Sequence, residues 1–112
     1  MKQIKTLADF KRAVEVGAKV HTIWHTAFAG RDENQQPIWK DEDRGIREVS
    51  IKQSNSFALK TENDGKVVDS WCSWPKATEC RIVDNQVTIL AEDFRVREGQ
   101  KPMIPVLTYS VL

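Results

Sequence analysis

Cysteine and histidine are both scarce in this 112-residue chain: Cys72, Cys80, His21 and His25 are the only ones. Two thiols are too few to staple a scaffold, so apolar burial has to hold the fold, and the pair is expected to stay reduced. No apolar run approaches the roughly 18 residues of a membrane span. The opening Met1-Lys2-Gln3-Ile4-Lys5 also lacks the apolar stretch of a secretion signal, so a cytoplasmic location is expected. Neither sign of charge dominates. With 17 Lys+Arg against 16 Asp+Glu the net charge is +1, which removes the global attraction expected of a nucleic-acid coat protein or a polybasic membrane binder and leaves only a local basic face. Repeats, low-complexity tracts and Pro/Gly/Ser linkers are missing too, and residues 1–112 read as one domain.

What is present is a change of hydrophobic period. Thr6 and Asp9 have the spacing of a capping box, Leu7, Phe10, Ala13 and Val14 repeat at helical spacing, and Gly17 stands where a helix ends, which predicts a helix over 6–16. After Gly17 the period becomes 2. Val20, Thr22, Trp24, Thr26 and Phe28 share one face of a first strand, with His21, Ile23, His25 and Ala27 on the other; Arg47 to Lys52 and Phe57 to Lys60 continue the alternation. Asn63-Asp64-Gly65 and Asp84-Asn85-Gln86 mark hairpins. Pro75 ends one strand, and Pro105 makes the last run, Met103 to Leu112, read as an edge that offers sheet extension between two chains. One N-terminal helix and about six short antiparallel strands point to a mainly β (α+β) fold: a small SH3-like barrel or a strongly bent antiparallel sheet, with an open sheet covered by the helix as the alternative. Gly30 to Gly45 and Glu92 to Pro102 fit no minimal barrel. The first reads as a long charged loop around Pro37-Ile38-Trp39, or as a protruding hairpin with its tip at Asn34-Gln35-Gln36.

Catalytic motifs are missing: there is no Gly-rich phosphate loop, Gly-x-Ser-x-Gly, His-Glu-x-x-His, EF-hand or paired-carboxylate pattern. On a strand, His21 and His25 stand about 13 Å apart, too far to share one metal. Seven residues separate Cys72 from Cys80, which is not knuckle spacing, and neither has an adjacent basic cluster or a recognisable helix N-terminus to activate its thiol. A metal- or thiol-dependent enzyme built on these four residues is therefore the weakest reading, and no catalytic residue, metal or cofactor is assigned. The aromatics say more. Four tryptophans exceed what a small core hides, and Trp71 and Trp74 fall on opposite faces of one strand. Trp39 lies among Arg31, Lys40 and Arg44, and exposed aromatics beside arginine anchor protein partners. Arg31, Ile38, Trp39, Lys40 and Arg44 are thus the candidate partner-binding residues. Arg47, Lys52 and Lys60, with an exposed aromatic, are the candidates for the alternative, a nucleic-acid-binding β-barrel.

The string Ser70-Trp71-Cys72-Ser73-Trp74-Pro75-Lys76-Ala77-Thr78-Glu79, together with Ser54 to Leu59 and the helix-Gly-strand start, resembles small uncharacterised proteins of bacteriophages and prophages with a Trp-Pro-Lys-Ala core before Ser or Thr and Glu. The resemblance covers about two thirds of the chain. It implies a mobile-element accessory protein that binds host or phage components, and it implies no site residues.

Overall fold

Thr6 starts the α-helix α1 (Leu7–Ala13) in the computed structural model, which describes residues 1–112. The Thr6 hydroxyl accepts from the Asp9 amide at 3.1 Å and the Asp9 carboxylate accepts from the Thr6 amide at 3.1 Å, closing the capping box that the sequence spacing predicts. The helix is shorter than the expected 6–16. Val14 turns out of helical geometry (φ −81°, ψ 92°) as its side chain enters the core, and Gly17 (φ +95°) donates to the Val49 carbonyl at 2.9 Å, serving a turn into the sheet rather than the helix end.

Seven strands follow: β1 (Lys19–Arg31), β2 (Pro37–Lys52), β3 (Ser56–Asn63), β4 (Lys66–Ser73), β5 (Cys80–Val83), β6 (Gln86–Glu92) and β7 (Met103–Val111), with a 3-10 turn at Ala77–Glu79 after Pro75. Every pairing is antiparallel, in the order β4-β3-β2-β1-β7-β6-β5. The expected SH3-like barrel or strongly bent sheet is therefore corrected: β4 and β5 are free edges with no ladder between them, and the sheet is neither closed nor strongly curled. Two causes are visible. β5 has only four residues to offer a closing partner, and β1 and β2 are 13 and 16 residues long, far beyond the strands of a minimal barrel.

The extra length comes from residues 30–45. Of the two readings of this segment the protruding hairpin is the one formed: residues 30–45 are its outer half, and its five-residue end, Asp32 to Gln36, contains the expected tip and is tied by Asp32 accepting from the amides of Asn34 and Gln36. The two hairpins marked in the sequence turn at Asp64-Gly65 and Asp84-Asn85, all four with positive φ, the type I′ geometry that twisted strands favour. β7 departs from expectation as well. It lies inside the sheet between β1 and β6 rather than at an edge, which removes it as a free edge for sheet extension. Pro105 is tolerated because pairing with β1 starts only at Leu107, and the β6 register shifts between Ile89 and Leu90, opposite the proline.

α1 covers part of one face. Phe10, fully buried, meets Phe57, Trp74 and Tyr109 at ring-centroid distances of 6.2, 6.1 and 5.8 Å, and Val14, Val20, Val49, Leu59, Val87 and Val111 close around them. The outer part of β1 and β2 projects past this core. The Cα radius of gyration is 15.4 Å, against about 13 Å for an ordinary domain of this length. Phe10→Ala is expected to cost about 3–5 kcal/mol of unfolding free energy, read from urea denaturation; a loss below 1 kcal/mol would show that Phe10 is not the centre of the core.

Candidate functional site

Three places bring chemically capable side chains together. The first is the β1–β2 arm. β1 carries extra residues relative to β2 between Trp24 and Ala27 and between Phe28 and Arg31, bulges that re-aim the side chains beyond them. Phe28 and Trp39 are cross-strand partners with centroids 5.9 Å apart, and Phe94, from the loop after β6, meets Trp39 edge-on at 4.9 Å. Trp39 is half-buried between them, while Phe28 and Phe94 remain 54% and 53% exposed. The Phe94 loop is held by Asp93, which accepts from Arg95 Nε at 2.7 Å and Nη2 at 2.9 Å, a two-pronged pairing that keeps the carboxyl below its ordinary range.

The partner-binding candidates divide over this arm. Arg31 stacks over Phe28 at 5.9 Å and donates to the Gln35 carbonyl at 2.9 Å. Ile38 and Lys40, exposed, flank Trp39 in β2 and so face the other side of the strand. Arg44 stands apart at the arm's base, an extra β2 residue beside Gly45 (φ +78°) that lies over the Trp24 ring at 5.2 Å and pairs with Glu42 at 3.2 Å. The nucleic-acid candidates do not meet in one place. Lys60 pairs with Glu48, Lys52 donates to the Lys11 carbonyl at the end of α1, and Arg47 lies on the helix-bearing face.

The second place is the opposite face, where the histidines lie. His21 donates to Asp43 at 2.7 Å, and the Gly45 amide, first, and this imidazole, second, hold the Asp43 carboxyl below its ordinary range. In the neutral ring, His25 donates from Nδ1 to Asp41 at 2.9 Å and accepts at Nε2 from Thr108 at 2.6 Å, and the Thr108 and Thr88 hydroxyls are 3.0 Å apart. Sequence reasoning missed this acid–imidazole–hydroxyl order, because the bulge after Trp24 and the placement of β7 beside β1 have no local signature. Thr108 is buried at 8% exposure, pairs across both flanking strands and shares its hydroxyl with Thr88, so the network clamps β1, β2, β6 and β7 together.

The third place is a cleft on the helix-bearing face, beyond the reach of α1. Its floor is Thr22, Trp24 and Arg47, one wall is Val106, Leu107 and Tyr109, and the other is Ser70, Trp71 and Cys72. The cleft holds about 230 Å³, and a second hollow of about 490 Å³, which shares Trp71, Cys72, Leu107 and Tyr109 with it, lies beside Trp74 and Lys76. Trp71 is 52% exposed, whereas Trp74 packs on the core and donates its indole N–H to the Gln53 carbonyl at 2.8 Å, the opposition that their spacing predicts. Burial pushes the Cys72 thiol up, and it pushes the Tyr109 hydroxyl up further. The Cys80 thiol is raised by burial as well.

These raised groups fix an alkaline limit. The unfolded chain releases its thiol protons near 9.0 and its phenol proton near 10.0, before the folded chain does. Their contribution is thus complete below pH 9 and lost as pH rises. The thermal midpoint is expected to fall above pH 9, and Tyr109→Phe to flatten the part above pH 10; an unchanged slope in that variant overturns the assignment to Tyr109. No protein-family model, curated protein or solved structure matches the chain.

Proposed function

We propose that the chain is a non-catalytic interaction module that binds a protein partner through the β1–β2 arm. The observation that carries this reading is the Phe28–Trp39–Phe94 cluster: two half-exposed rings packed edge-on against a third, on an arm that projects from the body, where burying them adds nothing to the chain's own core. Rigid aromatics rimmed by arginine are what protein interfaces use as anchors. Here Arg31 rims the cluster, Ile38 and Lys40 lie on the far side of the same strand and Arg44 stands at the base, and the mixed charge suits a protein surface better than a phosphate backbone. With Lys60 tied to Glu48 and Lys52 to the helix end, the nucleic-acid reading has the weaker support.

The partner is a component of a bacterial host or of a phage, met in the cytoplasm, on the strength of the resemblance around Trp74-Pro75-Lys76-Ala77. No helix is long and apolar enough to cross a membrane, which is compatible with that setting. The histidine network acts as a structural clamp, because its hydroxyl is buried and shared.

The test is affinity capture from bacterial extract with the native chain and with a Trp39→Ala/Phe94→Ala variant. Losing anchors of this kind costs about 2 kcal/mol or more each, so a partner held by the native chain is expected to be lost by the variant while the thermal midpoint moves by only a few degrees. Retention of the same partner by the folded variant would sink the arm as the binding site.

A further inference from the structure

β4 is a sheet edge that lacks most of the devices by which edges are blunted. It runs for eight residues in unbroken register with β3, with no proline and no bulge, whereas β5, the other edge, has only four residues. The two-residue turn at Asp64-Gly65 makes Asn63 and Lys66 a hydrogen-bonded pair, and the alternation that follows points the N–H and C=O of Val67, Asp69, Trp71 and Ser73 away from β3. The backbone hydrogen bonds that the chain makes outside its helices and ladders reach none of these groups.

Side chains along this edge divide between the two faces. Cys72 and Ser70 lie opposite the fully buried Phe57 and Leu59, so they and Val68 point to the helix-bearing side, while Val67, Asp69 and Trp71 point to the other. On the helix-bearing side, Ser70 and Cys72 line the cleft of about 230 Å³, and Cys72 lines the hollow of about 490 Å³ too, with Leu107 and Tyr109 on the far wall of both. On the other side, Val67 is 70% and Trp71 52% exposed. Asp69 lies between them, exposed and in no ion pair, because Lys60, its cross-strand neighbour, is held by Glu48.

We infer that an extended segment of a partner protein adds to β4 as an eighth, antiparallel strand, with bulky apolar side chains over the cleft and a lysine or arginine opposite Asp69. This surface is separate from the β1–β2 arm. In strand addition the main chain supplies the hold and alternate side chains the selectivity. Here the free groups of β4 supply the first, and the apolar hollows and the unpaired carboxylate supply the second, since opposite charges directly across an antiparallel pair attract. A second copy of the chain is the competing occupant. It would bring Val68, Ser70 and Cys72 to the cleft side, two of them too small to fill the hollows, and a symmetric pairing centred on Asp69 would oppose two carboxylates.

The test is isothermal titration of the full chain with an acetylated, amidated heptapeptide, Leu-Thr-Leu-Lys-Leu-Thr-Leu, whose leucines share one face and whose lysine is central on the other. Binding is expected, and replacing the lysine by glutamate is expected to weaken it several-fold. Asp69→Lys, at an exposed position, is expected to reverse the order of the two peptides with the thermal midpoint held. Methylating the lysine amide, which points at β4, is expected to abolish binding, whereas methylating a neighbouring leucine amide, which points to solvent, is expected to spare it. Trp39→Ala/Phe94→Ala is expected to leave binding unchanged, so failure of either surface is read independently of the other. No binding at millimolar concentration, equal binding of the two methylated peptides, or an unreversed order in Asp69→Lys would each overturn the assignment. Sedimentation equilibrium is expected to show a monomer; a dimer dissociated by Val67→Pro would give the edge to a second copy instead.

Discussion

A helix of seven residues cannot cover a sheet of seven strands. At 1.5 Å per residue, α1 is about 10 Å long, and seven strands at 4.8 Å spacing are about 29 Å wide. The chain places this short cover where it counts most, over Phe57 of β3, Tyr109 of β7 and Trp74 just past the end of β4. Phe10 is the contact through which those elements share one core. Everything outside its reach must be polar, or apolar and exposed, or kept for another molecule. The exposed Val67, Val68, Trp71 and Phe28 are the visible result.

The two outcomes of this shortage differ physically. On the face opposite α1, alternation has placed His21, His25, Thr88, Thr108 and Ser110, and these satisfy one another and the carboxylates of Asp41 and Asp43. That face is finished without a second layer, as one side of an antiparallel sheet often is. On the face that carries α1, the same alternation places Thr22, Trp24, Arg47 and Leu107 beyond the end of the helix, and there the polar atoms are not mutually satisfied. The difference lies in composition: the finished face pairs donors with acceptors, whereas the cleft holds two guanidinium groups with a single carboxylate, Glu42, within ion-pair distance of either.

Local structure was legible in the sequence wherever it depended on neighbours in the chain. The Thr6–Asp9 box, the turns at Asp64-Gly65 and Asp84-Asn85, the strand stop at Pro75 and the opposed faces of Trp71 and Trp74 all follow from backbone preferences within a few residues. What was not legible depends on pairing partners distant in sequence. Strand order decides between a barrel and an open sheet, and no residue of β5 announces that it will remain an edge. Pro105 gave a misleading signal, because its missing N–H matters only where a ladder on that side reaches it, and the β1–β7 pairing ends two residues short. The charged composition of residues 30–45 left a loop and a protruding hairpin both open: the strands are so far from the core that neither face needs to be apolar, and the alternation that decides for half-buried strands is absent there.

The near-balance of charge takes on a different meaning once the pairs are placed. Lys19 and Lys60 share Glu48, Arg12 holds Asp9, Arg95 holds Asp93 and Arg44 reaches Glu42, so many of the opposing charges are spent within the chain, in positions that order loops and strand ends. Such exposed pairs contribute little stability each. Their effect is rather to remove those cations from the set available to another molecule. Arg47 is left with a neutral hydroxyl for a neighbour on a face where Tyr109 and Cys72 stay protonated, so its field is opposed by no anion within the cleft. A chain of net charge +1 thereby keeps a local site of uncompensated positive charge. It lies among tryptophans at the one part of the helix-bearing face that α1 is too short to reach.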